Sequence, residues 1–277
     1  MLVASFMNPH DVCDWIRQHP GARSHPKRLS YPSAPANLAV DPLEPEAIQY
    51  HRTAGYDLMS EAVGIASKWL RDDFRHYLHD YYRMVEAVDR EIGRELAELR
   101  ATGLDRNTVI VFTSNHGEGL GGHRWVQKAS FYEESVHVPF IVSGPGIPAG
   151  HRCSDLVSLL DILPTFCDFA GVVPPKDVRG VSLRPSLAGK SLAREHVAAH
   201  LRYETAAREG RMIRTARYKY IAHNTGQRAE QLFDLLTDPG ETRNLVNEAE
   251  AKGVLRQHRQ LLQTELLRTG DSFVATV

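Results

Sequence analysis

The chain has 277 residues, 42% of them apolar and 24% charged, with a formal charge of −1 at neutral pH. That balance suits a soluble globular fold and excludes a whole-molecule field for nucleic acid or anionic lipid, so anion binding has to come from a local cluster. The apolar runs all fall short of a membrane span, the opening has neither the basic region nor the length of a signal peptide, and Cys13, Cys153 and Cys167 are too few and too scattered for a disulfide framework.

In chain order, the apolar run from Met1 to Asn8-Pro9-His10 reads as a buried strand that starts with the chain, which is what a cut through a sheet would produce. Residues 11–46 carry prolines at 20, 26, 32, 35, 42 and 45 and read as a long irregular surface segment of the kind that shapes a pocket. Its Arg17, His19, Arg23 and Lys27 are read as a solvated loop, with contact to an acidic sugar as the alternative. A helix is predicted over 46–69 and a stronger one over 73–99, where Met84, Val85, Val88, Ile92, Leu96 and Leu99 recur at helical spacing. Gly103 caps it, and Thr108-Val-Ile-Val-Phe-Thr113 follows as a buried strand. A second strand is predicted over 137–142, then a helix over 157–170 broken by Pro164. The α/β part closes near Gly189, and 197–203, 212–215, 218–223 and 231–235 read as strands of a small antiparallel sheet covered by a terminal helix.

The first strong strand ends in Ser114-Asn115-His116-Gly117-Glu118-Gly119-Leu120-Gly121-Gly122-His123, placed where open α/β sheets bind ligands. Asn115 and His116 offer oxygen and nitrogen to a divalent cation, while His10, His123 and Lys128 are of the types that hold an anionic group and offset charge gathering on it. Each residue alone has a plainer reading, since 14 histidines are present and a lone lysine is a surface lysine by default.

Several ordered blocks then carry a resemblance: Asn107-Thr-Val-Ile-Val-Phe-Thr-Ser-Asn-His-Gly-Glu118, His123-Arg-Trp-Val-Gln-Lys128, Tyr132-Glu-Glu-Ser135, Leu160-Asp-Ile-Leu-Pro-Thr165 and Leu232-Phe-Asp-Leu with Asp238-Pro-Gly-Glu241. In these the chain resembles the carboxy-terminal part of sulfatases of the alkaline-phosphatase superfamily. The resemblance implies an incomplete alkaline-phosphatase-like mixed sheet, mainly parallel and flanked by helices (1–189), followed by an antiparallel subdomain (190–277). It places Asn115 and His116 on the family's cation-binding Asp-His pair, usually served by calcium, with an amide where the family has a carboxylate. Lys128 falls on the lysine that contacts the sulfate, so Lys128 and His123 are expected in catalysis, and His10 and Lys128 in substrate binding.

The family's nucleophile signature, Cys- or Ser-x-Pro/Ala-x-Arg, follows none of the three cysteines. The expectation is therefore a truncated sulfuric ester hydrolase acting on a sulfated sugar or aryl sulfate, weakly active or inactive alone and prone to self-association through exposed core. A non-catalytic anion-binding module and a phosphate or phosphonate ester hydrolase remain as alternatives.

Overall fold

The computed structural model describes residues 2–21, 30–54, 58–203 and 208–276. The opening run does not form the expected strand: Leu2 and Met7 are 92% and 73% exposed, and no strand among the described residues pairs with this segment to satisfy its backbone. A turn leads instead into helix α1 (Val12–Gln18), which buries Val12 and Ile16. The proline-rich stretch is thus only partly irregular, and its later half sends Ala34, Asn37 and Glu44 into the interior.

The single helix expected over 46–69 is two, α2 (Glu46–Ala54) and α3 (Leu58–Ser67), packed on each other and, through α3, on α1. The long helix α4 (Arg71–Ala101) begins where the Asp73 carboxylate accepts the Leu70 N–H at 2.7 Å. Its first turns bury Phe74, Tyr77 and Leu78 against Trp69, Trp125 and Val126. Further along, the predicted stripe is only half covered, with Val85 41% exposed. Gly103, at φ +72°, supplies the left-handed stop read from the sequence.

Strand β1 (Ile110–Thr113) pairs antiparallel with β2 (Phe140–Ser143), Ile110 opposite Ser143, and the short helix α5 (Glu133–Val136) lies between them in the chain. The expectation of a mainly parallel arrangement is corrected here, because β1 has only this antiparallel neighbour among the described residues. Their outward side chains Phe112 and Ile141 are 40% and 59% exposed. Helix α6 (Ile162–Ala170) takes Pro164 into its first turn, where a missing N–H leaves no bond unmade, so the proline does not break it. Helix α7 (Arg184–Leu187) closes this part.

The second sheet is a meander of β3 (Val197–Arg202), β4 (Glu209–Arg214), β5 (Tyr218–His223) and β6 (Glu230–Asp234), all antiparallel in that order. Helix α8 (Lys252–Thr269) covers one face, packing Leu255 and Leu262 on Ile213, Tyr220 and Leu232. The other face, through Met212, Ile221 and Phe233, takes Phe131 and Tyr132 from the segment after Lys128, so the two parts share a core. The cysteines are free, and no helix among the described residues is long and apolar enough to cross a membrane.

His223 of β5 is fully buried, and neither ring nitrogen has a hydrogen-bond partner among the described residues. Burial holds its pKa at about 4, against 6.5 in the open chain. The unfolded state takes up this proton before the folded state does, so stability falls as pH drops from 6.5 toward 4, by up to about 3 kcal/mol from this ring. His223→Leu is expected to reduce that acid loss, read as a smaller shift of the urea midpoint on acidification.

Candidate active site

Beyond β1 the backbone runs out in short bonded steps. Ser114 Oγ donates to His116 O at 2.7 Å, and Asn115 Oδ1 accepts the His116 N–H at 3.1 Å. His116 Nδ1 lies 2.8 Å from Gly117 O, a contact that puts the proton on Nδ1 and leaves the Nε2 lone pair for a ligand. Burial is the first cause that lowers the His116 pKa, so the ring is neutral at pH 7.

The following glycines let two backbone runs lie against each other. Gly117 N–H donates to Ser135 O at 2.8 Å, Gly119 N–H to Gln127 O at 2.9 Å and Gly121 N–H to Trp125 O at 2.9 Å. A Cβ on Gly117 would stand 1.9 Å from Glu134 O, and one on Gly119 2.5 Å from Trp125 O. Gly117→Ala is therefore expected to cost about 2 kcal/mol or more through overpacking against backbone, read by urea denaturation.

From 120 to 129 the strap carries five non-glycine residues in the left-handed region: Leu120, His123, Arg124, Gln127 and Ala129, at φ +51° to +68°. Each is held at an energetic penalty of about 1–2 kcal/mol, so the surroundings must hold the shape. Arg52 Nη1 donates to His123 O at 2.6 Å while its own Nη2 pairs with buried Glu44 at 2.7 Å. His123 N–H donates to Asn37 O at 2.7 Å, Arg124 Nη2 to Ser67 O at 2.9 Å, and Trp125 Nε1 to Lys128 O at 3.0 Å.

This scaffold brings three of the expected residues together. Lys128 and His10 lie near enough to His116 to lower its pKa further, after burial, and Lys128 also acts on Glu118 and Cys13. Lys128 is half-buried, while His10 and Asn115 are exposed. Buried Glu118 accepts the Tyr77 hydroxyl at 2.6 Å, and burial pushes its carboxyl up to about 7.

His123 stands apart from that group. It is 2% exposed, stacks on Tyr132 at 3.7 Å, and lies 3.4 Å from Asn37 Nδ2. Burial, first among the causes, lowers its pKa to about 4. Its ligand-capable atoms lie within 4.8 Å of those of Glu134 and Glu241. Protein donors already meet those carboxylates: Asn37 Nδ2 donates to Glu134 Oε1 at 2.7 Å, and Glu133 N–H to Glu241 Oε2 at 2.7 Å. Buried Lys219 Nζ sits 2.8 Å from Glu241 Oε1, 2.7 Å from Glu133 Oε1 and 2.8 Å from Phe131 O. This is a bonded polar seam between the strap and the second sheet, filled by protein donors.

As ligands Asn115 and His116 would both be neutral, whereas a hard cation such as calcium takes 6 to 8 oxygens, so the pair would fit a cation only if further oxygen ligands joined it. Of the basic residues in the proline-rich segment, Arg17 pairs with Asp14 and Glu61, and His19 Nδ1 contacts Trp15 O at 2.7 Å. Arg23 and Lys27 lie outside the described residues. Sequence reading passed over Glu118, Asn37 and the Glu44–Arg52 pair. A carboxylate flanked by two glycines was a usable signal for Glu118, but Asn37 offered none.

Residues 1–172 match the family model Sulfatase, and residues 121–267 match that of N-sulphoglucosamine sulphohydrolase, C-terminal. The chain belongs to the sulfatase family. This sulfatase chain is 34% identical, over 98% of its length, to the Delta 4,5-hexuronate-2-O-sulfatase of Bacteroides thetaiotaomicron, of which it covers 57%. Its fold matches the structure of a 2-O GAG sulfatase with a TM-score of 0.87 and 32% identity, covering 98% of this chain and 60% of that one. A phosphonate monoester hydrolase of Agrobacterium radiobacter superposes with a TM-score of 0.71 at 28% identity, covering 83% of this chain and 50% of that one. The sulfatase chain thus spans between half and three fifths of the length of these proteins.

Proposed function

We propose that this chain supplies the anion-holding part of a sulfuric ester hydrolase site, with a sulfated sugar as substrate. The observation that carries the reading is the Gly119 N–H to Gln127 O bond, which folds the chain so that Lys128 returns beside Asn115-His116, near enough, like His10, to act on the His116 ring. Lys128 and His10 meet the sulfate oxygens, and the Lys128 ammonium offsets charge that gathers on them as the ester bond breaks. Asn115 Oδ1 and His116 Nε2 contribute two ligands to a divalent cation, calcium by family analogy. Asn115 brings no negative charge, so that cation binds more weakly than at a carboxylate. A bound cation would polarise the ester oxygens. His123 serves by holding the strap through the seam. The names of the hexuronate 2-O-sulfatase and the 2-O GAG sulfatase support a sulfated saccharide.

No cysteine of this chain stands in the nucleophile signature, so the chain alone binds the ester and turns it over weakly or not at all. The proposed parts 1–189 and 190–277 act together, since the seam and shared core join them. Exposed Phe112 and Ile141 support self-association of the isolated chain.

Two observations favour other readings. Asn115 Oδ1 is engaged by the His116 N–H, which suits a binding module without the cation. Similarity to a phosphonate monoester hydrolase suits a phosphonate ester. Isothermal titration with a sulfated disaccharide, with and without calcium, and with a phosphonate monoester separates them. Saturable binding of the sulfated sugar, tightened by calcium, is expected. Binding indifferent to calcium supports the module, preference for the phosphonate supports the hydrolase relative, and no binding of any anion overturns the proposal.

A further inference from the structure

The functional reading leaves Glu118 without a part, although it is only 9% exposed and lies near enough to Lys128 to feel its charge. Its Oε1 takes two donors, the Tyr77 hydroxyl from α4 at 2.6 Å and the backbone N–H of Gln127 from the strap. The other backbone group of Gln127, its carbonyl, accepts the Gly119 N–H at 2.9 Å. Both polar backbone groups of the residue before Lys128 are thus fastened to residues 118 and 119. Gln127 and Ala129, on either side of Lys128, have φ of +62° and +68°. Two departures from ordinary backbone on either side of one lysine relax unless something opposes them, and each relaxed state swings the side chain elsewhere.

We propose that Glu118 is a positioning residue: by anchoring the Gln127 N–H to α4 through Tyr77, it locks the left-handed turn that holds Lys128 beside His116. The inference rests on the reading of Lys128 as the sulfate-contacting residue, but the geometry it invokes can be tested separately. Glu118 touches no substrate in this scheme and acts through the lysine alone. Glu118→Gln keeps a carbonyl oxygen for both donors, whereas Glu118→Ala leaves the Gln127 N–H buried and unpaired.

The test is acylation of the intact chain by an N-hydroxysuccinimide ester, read lysine by lysine by mass spectrometry, with and without inorganic sulfate. Exposed Lys176 and Lys190 serve as internal standards, and fully buried Lys219 reports unfolding. In the wild type, sulfate is expected to protect Lys128. In Glu118→Ala the Lys128 rate should rise about tenfold relative to the standards, with sulfate protection lost and Lys219 still silent. Glu118→Gln should keep the protection. An unchanged Lys128 rate in folded Glu118→Ala overturns the proposal.

Should Lys219 become reactive in that variant, Tyr77→Phe decides. It frees the carboxylate without removing it and should raise the Lys128 rate in the same direction, and no change overturns the proposal. If sulfate fails to protect wild-type Lys128, the functional reading falls, while the dependence of the Lys128 rate on Glu118 still decides the positioning role.

Discussion

Replacing Lys128 by methionine is expected to weaken binding of a sulfated disaccharide by about ten- to a hundredfold, the worth of one hydrogen bond to a charged group. Methionine keeps most of the stem, so packing in the half-buried strap survives and the lost quantity is the charge. Titration calorimetry reads the change directly, and urea unfolding should show little loss of stability. The pocket holds two neighbouring histidines but no second lysine or arginine among the groups that act on His116. A neutral His116 cannot substitute for the missing charge. Equal affinities in the two proteins would remove Lys128 from the binding site.

The second large effect is expected from Lys219→Met, a loss of about 3–5 kcal/mol of folding stability, as for other buried ion pairs stripped of one partner. Lys219 is fully buried and meets Glu133, Glu241 and Phe131 O at 2.7 to 2.8 Å. Burial already raises the Glu241 carboxyl to about 7, and the lysine is the chief charge that opposes this. Without Lys219 the folded-state pKa of Glu241 rises further above its unfolded value of 4.5. The wild type ionises Glu241 above about 7 while the variant keeps it protonated, so the part of the deficit due to Glu241 should be constant below that pH and grow as pH rises through 7. Urea midpoints compared at mildly acidic and mildly alkaline pH check both size and sign. A deficit independent of pH would mean that lost packing dominates.

Locally encoded features were well read from the sequence. The helical stripe of α4 and the four short strands of the second sheet were found within a few residues, because side-chain period and turn residues are written in each segment itself. Features that depend on distant partners were not. The opening apolar run has strand composition but no strand to pair with among the described residues, and β1 reads as buried yet leaves Phe112 exposed. The site shows the same division. Asn115, His116 and Lys128 lie in one short stretch, so their types and spacing could be read together, and His10 was proposed through resemblance. The contacts that shape the strap come from Asn37, Arg52 and Ser67, many residues away and without local pattern. His123 was read by its neighbourhood in sequence, which could not show that its ring is buried and stacked on Tyr132.

The Lys219 seam also bears on how this chain can change over generations. Glu133, Lys219 and Glu241 lie far apart in sequence yet neutralise one another at a single buried point, so a lineage that drops the lysine must also drop or move a carboxylate. The two halves of the chain are therefore poor candidates for independent shuffling. A second sheet taken from a relative with a different residue at 219 would arrive as a misfit, however well its strands aligned.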